Sequence, residues 1–346
     1  MNIGVVGCGY WGSKHLRVLH AMSDVEEVVA IDASEERLRN VQRSMPGVVC
    51  ARSLDEVVRD LDGVVVATPP RTHVEVASTA ITSGTPVLVE KPLATSVSDA
   101  RALVDMAAAR HVPLMVGHTF EHNAAVWKLR ELVESAELGR LYYVDSARLN
   151  LGLYQSDVNV IWDLAPHDIS IFNYILGARP TWVQAWASRH AHHFLEDVAY
   201  LRLSYEEAGV TANIHVSWLD PCKVRRVTLV GSSKMAVYND LASEERVRIF
   251  DKGVVESDGD LPAMPMSYRY GEIRSPYVHF EEPLSVEDRH FIECARDGSE
   301  PRTSGQNGLA VVEVLECAEI SLHERRPVAL MEVAESPAAL SGSSIS

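Results

Sequence analysis

The run Gly7-Cys8-Gly9-Tyr10-Trp11-Gly12 constrains this chain more than any other feature. It lies between an apolar stretch, residues 2–7, that reads as a buried strand and a helical pattern that reaches His20. In that setting each glycine has its own task. Gly7 permits the tight turn, Gly9 lets backbone approach a pyrophosphate, and Gly12 lets the helix pack on the strand. The helix start at Tyr10 and Trp11 adds N–H groups and a partial positive charge for the phosphates.

The next apolar strand, Val28-Val29-Ala30-Ile31, ends at Asp32, at the spacing expected for a carboxylate that takes the adenosine ribose hydroxyls. A carboxylate there repels a 2′-phosphate, which favours NAD, while nearby Arg37 leaves NADP open; Asp32 or Ser34 also fits as a helix cap. Residues 63–67 are wholly apolar, as a parallel strand requires, and run into Thr68, Pro69 and, at the next helix start, His73. These three are expected over the cofactor, although His73 fits equally well as a plain helix-terminus residue. A helix from Ser98 to Arg110, capped by Ser96 or Ser98, leads to strand Leu114–Gly117. Alternating strands and helices predict a doubly wound parallel Rossmann domain over residues 1–118.

Within that domain, Val87-Leu88-Val89 runs straight into Glu90-Lys91-Pro92. Taken alone, the charged pair fits a surface ion pair beyond a core strand. At the carboxyl edge of an open α/β sheet it instead places an ammonium where such folds bind ligands.

After His118 the pattern changes to a helix over 124–138, closed by Gly139, and then to strands of alternating polarity. Val210, Ala212, Ile214, Val216 and Trp218 share one face of a strand that follows a Glu206–Gly209 turn. Further strands fit 141–149, 181–188, 197–205, 224–230 and 245–250, the last closed by a turn at 251–253. The expected second domain, 119–335, is α+β with a large, open, mostly antiparallel sheet. Residues 256–283 read as an extended arm, followed by helices near 286–297 and 308–324 and a strand at 327–330; the tail, 336–346, reads as disordered.

In this second domain lies Trp162-Asp163-Leu164-Ala165-Pro166-His167-Asp168. Pro166 is best tolerated in a first helical turn, which places Asp163 at or near the N-cap. Asp163 and His167, four apart, share a helix side. A carboxylate beside an imidazole raises its basicity and fixes its tautomer, a general-base arrangement; a capping Asp beside a buried His is the simpler alternative. A nicotinamide cofactor needs a group that moves a proton as hydride moves, and a cleft between domains would bring Lys91 and His167 to one substrate. Arg148, Asn150, Tyr154, Trp162 and Lys223 are candidates for the substrate wall.

The formal net charge of −16 disfavours nucleic acid and anionic membrane as partners. Five scattered cysteines argue for reduced thiols in a cytoplasm. The start in a strand argues against a signal peptide, and no apolar run reaches the length of a membrane span. His190, His192 and His193 lack cysteine or carboxylate companions at usable spacing, so no metal site is expected.

The segments GCGYWG, ATPPRTH, VLVEKPLA, GHTF and WDLAPHD resemble the Gfo/Idh/MocA oxidoreductases along nearly the whole chain, with Glu90-Lys91-Pro92 as the family hallmark. The resemblance implies an NAD(P)-binding domain followed by a domain whose sheet pairs with its counterpart to make homodimers or homotetramers. It implies oxidation or reduction of a secondary alcohol on a sugar, cyclitol or nucleotide-linked sugar, with Glu90 and Lys91 beside the cofactor. Lys91 would hydrogen-bond the reacting hydroxyl, and His167 would act as base, oriented by Asp163. Ala165-Pro166 departs from the small residues common before that histidine, a difference that bears on substrate choice. The wider wording is similar to a branch that oxidises C3 of amino sugars or nucleotide sugars. Rival readings are an NADPH-dependent ketosugar reductase, an inositol or cyclitol dehydrogenase, and a non-catalytic NAD(H) redox sensor.

Overall fold

A computed structural model describes residues 1–152, 154–155, 158–255 and 267–334. The described strands form two sheets, one of six strands and one of nine. The described chain divides into two compact units, the first made of Met1–His122, Glu281–Glu316 and residues 332–334, the second drawn from Asn123–Phe280 and Cys317–Met331.

The first unit begins with β1 (Asn2–Val6), α1 (Tyr10–His20), β2 (Glu27–Ile31), α2 (Glu35–Ser44) and β3 (Val49–Ala51). It continues with β4 (Gly63–Val66), α3 (His73–Thr82), β5 (Val87–Glu90), α4 (Val97–Arg110) and β6 (Leu114–Gly117). All pairings are parallel, in the order β3-β2-β1-β4-β5-β6. The order reverses at β1, the switch point beside which such sheets bind ligands. β4, β5 and β6 are buried along their whole length, because helices cover both faces of a parallel sheet. Ser96 caps α4, its hydroxyl accepting from the Asp99 N–H at 3.1 Å. The short strand β3 was not expected: Val49-Cys50-Ala51 is too brief to stand out, and pairing with β2 defines it.

The second unit holds α5 (Ala124–Glu134), β7 (Leu141–Leu151), α6 (Val160–Leu176), β8 (Trp182–Ser188), β9 (Val198–Tyr205), β10 (Val210–Ser217), β11 (Leu219–Gly231), β12 (Met235–Asn239), β13 (Val247–Val255) and β14 (Ser267–Arg274). Helix α7 (Pro283–Asp297) belongs to the first unit; α8 (Gly305–Glu324), β15 (Val328–Ala329) and α9 (Met331–Ala334) complete the described chain. The nine strands run β14-β13-β12-β11-β7-β10-β9-β8-β15, antiparallel except for β7 with β10. Val210, Ala212, Ile214 and Val216 lie on the buried face of β10, as their alternation predicts, and Trp218 just beyond it is buried too.

The structure corrects four expectations. No turn closes β13 at 251–253; the strand runs on, and a register shift between Phe250 and Lys252 absorbs the irregularity. Part of the expected arm, Ser267–Arg274, is strand β14, paired with β13. Residues 256–266 and the tail from 335 lie outside the described residues. β12, hidden in a mixed polar stretch, pairs with β11 and β13. Asp163 is not the cap of α6: Asn159 is, its side-chain oxygen accepting from the Ile161 and Trp162 N–H groups at 3.1 and 3.2 Å. Pro166 therefore sits inside the helix, where its missing N–H leaves the Trp162 carbonyl without its helical donor.

Candidate active site

The glycine turn is built as the motif requires. Gly7 has φ +93°, a conformation that favours glycine, and its N–H donates to the Ile31 carbonyl at 2.8 Å. A Cβ on Gly12 would lie 1.7 Å from the Gly7 carbonyl oxygen, so only glycine lets α1 start this close to β1. At Gly9 a Cβ would meet nothing within 4 Å. The protein's own packing does not demand glycine there; space for a phosphate group against bare backbone does. No side chain caps α1, and Tyr10 and Trp11 are both exposed in its first turn.

Asp32, buried at the end of β2, ties this turn together. Its Oδ2 accepts from the Cys8 N–H at 2.8 Å and its Oδ1 from the Ser34 N–H at 2.8 Å. A carboxylate has about four acceptor positions, and with Arg37 donating to Oδ2 at 3.4 Å as a third partner, capacity remains for a ribose hydroxyl. Arg37 lies 3.4 Å from Oδ2 on an exposed side chain. Ser34, not Asp32, caps α2. At the end of β4 the buried Thr68 hydroxyl has no hydrogen-bond partner. His73 is fully enclosed, with Nδ1 2.9 Å from the Pro92 carbonyl oxygen and Nε2 2.9 Å from that of Thr68. Burial lowers its pKa, which favours the neutral ring, and a neutral ring donates to only one of these two carbonyls at a time. The glycine turn, the spare acceptor capacity of Asp32 and the Thr68 hydroxyl fit a dinucleotide, whose adenosine ribose Asp32 would hold.

The β5 end carries the Glu-Lys pair. Glu90 is buried, and its Oε2 accepts from the Lys91 N–H at 3.1 Å. Behind it lies an arrangement that periodicity alone did not reveal. His15 of α1 is fully enclosed, with Nε2 3.2 Å from Glu90 Oε1 and Nδ1 2.7 Å from Asp288 Oδ1 of α7. Burial opposes charge on His15, yet Asp288 and Glu90 hold its pKa well above the ordinary value. Burial likewise opposes charge on Glu90, but His15 and Lys91 hold its pKa below the carboxylate range. The available signal was a polar residue on the core-facing side of α1.

In the second unit, α6 is buried almost throughout its first thirteen residues. Between Val160 and Phe172 only Asp163 and His167 keep partial exposure, one turn apart. Asp163 Oδ2 accepts the Trp218 indole N–H at 2.9 Å. Tyr154 packs on Trp218, with ring centroids 5.3 Å apart, and stacks on His192 at 6.2 Å. Asn150 accepts from Arg225 at 3.3 Å. Tyr154, Trp218 and Asp163 thus form a connected group, and Asn150 pairs with Arg225. Trp218 and Arg225 were not singled out in the sequence, where Trp218 reads only as a core residue.

Two other predicted wall residues have structural partners. Arg148 is buried and bidentate to Asp168, at 2.8 and 3.0 Å. The Trp162 indole donates to Glu319 Oε1 at 3.0 Å, which also receives Asn159. Burial raises the Glu319 pKa. Arg225, desolvated beside Arg148, has its pKa lowered to about 10 and remains a cation at neutral pH.

Comparison with known proteins bears on both units. Residues 1–118 match the family model for the oxidoreductase family with an NAD-binding Rossmann fold, and 126–237 match the GFO/IDH/MocA C-terminal domain. The chain is 27% identical to D-apiose dehydrogenase of Paraburkholderia graminis over 98% of this chain and 92% of that protein. It is 33% identical to UDP-N-acetylglucosamine 3-dehydrogenase of Acidithiobacillus ferrooxidans over 54% of this chain and 57% of that protein. A crystal structure of the Acidithiobacillus enzyme superposes with a TM-score of 0.79 at 25% identity, covering 94% of this chain and 98% of that one. The glycine turn with Asp32, the Glu90-Lys91-Pro92 strand end and the two matched domains make this chain a member of the Gfo/Idh/MocA family, an NAD-binding oxidoreductase.

Proposed function

We propose that the protein oxidises a secondary ring hydroxyl, at C3 of an amino sugar, to the ketone. Bound NAD⁺ supplies the hydride acceptor. His167, with Asp163 one turn before it, takes the hydroxyl proton, and Lys91 donates to the oxygen as negative charge develops on it. Asn150 and Tyr154 contribute to the wall that orients the sugar ring. The observation that carries this reading is the selective exposure of Asp163 and His167 on an otherwise buried stretch of α6. A panel of amino sugars and nucleotide sugars, followed by NADH absorbance with the product read by NMR, tests it. A 3-keto product supports the reading; no NADH from any member of the panel rejects it.

The amino sugar is either nucleotide-linked or part of an aminoglycoside-like glycoside. The net charge of −16 favours a cation, whereas the Arg225 guanidinium favours an anion. For a cationic glycoside, kcat/KM falls several-fold between low and roughly 0.5 M salt; a flat profile argues against it. Arg37 beside Asp32 supports a second reading, NADPH-dependent reduction of a ketosugar. Comparing KM for NAD⁺ and NADP⁺ separates the two, and a lower KM for NAD⁺ is expected because Asp32 repels a 2′-phosphate.

We also propose that the outer face of the large sheet pairs with a second copy. Trp186, Tyr200, Arg202, Asn213 and His215 line a depression of about 1180 Å³ there, on the strand face turned from the Arg148 side. Neither Asp163 nor His167 lines it, so we assign it to assembly rather than to chemistry. Trp186→Arg should shift the protein to monomer in light scattering; a wild-type monomer would refute the pairing.

A further inference from the structure

We propose that His15 and Asp288 are positioning residues for Lys91, acting through the carboxylate of Glu90. The proposal rests on the reading of Lys91 as the group that holds the reacting oxygen.

Both ring nitrogens of His15 face carboxylate oxygens, at 2.7 Å for Asp288 and 3.2 Å for Glu90. A neutral imidazole has one N–H and can satisfy only one of them. An imidazolium donates to both, and the two carboxylates favour it by raising the His15 pKa, while burial also raises that of Asp288. The imidazolium fixes one oxygen of Glu90, and the other accepts the backbone N–H of Lys91. The chain Asp288–His15–Glu90–Lys91 thus runs from α7 through α1 to the first residue beyond β5.

The surroundings are shaped to this carboxylate. Gly117, opposite Glu90 in the sheet, would place a Cβ 3.2 Å from Glu90 Cα and 3.2 Å from Oε2, so a side chain there would crowd the carboxylate. Glu287 is also fully enclosed, its Oε2 accepting from the Thr119 hydroxyl at 2.8 Å. Burial, with the charge of Glu90, pushes its pKa well above the carboxylate range, which keeps a third negative charge out of the cluster. His118, directly after Gly117, is pushed down to about 4 by burial, despite Glu90, and stays neutral. One cation therefore faces Glu90 from behind while the ammonium of Lys91 lies beyond it. A buried ionic group is poor value as a source of stability, and its best-attested use is to specify one arrangement. Here the arrangement specified is the strand end that carries Lys91.

The test uses the full-length holoenzyme. His15→Gln and Asp288→Asn each remove the double donor; in Asp288→Asn the amide still accepts from Nδ1–H, which leaves Nε2 bare against Glu90. Both variants should lower kcat roughly 10- to 100-fold with KM for the sugar and Kd for NAD⁺ within about threefold. His15→Gln combined with Glu90→Gln should be no slower than Glu90→Gln alone. Hydrogen exchange gives a readout independent of turnover: the amide of Lys91 should exchange faster in both variants, with β1 and α1 unchanged. Unchanged exchange at Lys91, loosening spread over the whole unit, or losses that multiply with Glu90→Gln would each overturn the proposal. If His15→Gln does not fold, Asp288→Asn and its combination with Glu90→Gln carry the same comparison. An inactive wild type on every sugar would instead reject the parent reading, and the exchange measurement would still decide this one.

Discussion

Lys91→Met should lower kcat by roughly 10²- to 10³-fold while Kd for NAD⁺ changes by less than about threefold. The substitution keeps an unbranched side chain of similar length and removes only the charge and the three donors. Lys91 begins just past the strand end, its own N–H held by Glu90 at 3.1 Å, so the backbone that places it does not depend on the ammonium. The dinucleotide contacts argued above belong to the glycine turn, Asp32 and Thr68, and none of them changes. The loss should therefore fall on kcat, as expected for an interaction that strengthens when charge develops on the substrate oxygen. Steady-state kinetics together with a fluorescence titration of NAD⁺ checks it. A loss in NAD⁺ affinity that accounts for the whole effect would make Lys91 a cofactor ligand rather than a catalytic residue.

The second large effect is at His167. His167→Asn keeps a polar side chain near the same place but removes the proton acceptor, and kcat should fall about 10²- to 10⁴-fold. The pH dependence changes form as well. In the wild type, kcat/KM should rise as the essential base loses its proton and then level off. In the variant that limb should vanish, leaving a flat profile over the same range. The structure supports the choice of residue because the first turns of α6 enclose every neighbour of the Asp163–His167 pair. A variant that retains the wild-type limb would place the base elsewhere.

Much of the fold is legible from short-range patterns. The parallel sheet announces itself through apolar runs such as Val64-Val65-Val66, which only a doubly covered sheet makes favourable. β10 is legible because every second residue is apolar. What escapes is whatever depends on distant partners. β12 and β14 take their identity from pairing with β13, and α6 starts at Asn159 because that side chain caps it, although Pro166 had pointed to a later start. The candidate site divides in the same way. The glycines, Asp32, Glu90, Lys91, Asp163 and His167 stand out in the sequence because the chemistry proposed for them needs residues at fixed local spacing. His15 and Asp288 lie 273 positions apart, and nothing local links them. Trp218 hides for a related reason: its place on an apolar face reads as core, while its indole N–H reaches Asp163. Arg148 shows the reverse case, a cation that reads as a substrate ligand but faces the buried carboxylate of Asp168.

In the proposed reaction one ammonium and one imidazole serve the same sugar hydroxyl. Single-turnover formation of NADH by wild type, Lys91→Met, His167→Asn and the double variant, each saturated with NAD⁺ and substrate, tests it most directly. Groups that act as a unit on one reacting atom give strongly non-additive losses. The double variant should be no more than about tenfold slower than the slower single one. Losses that multiply in full would show that the two residues act independently, and would contradict that shared role.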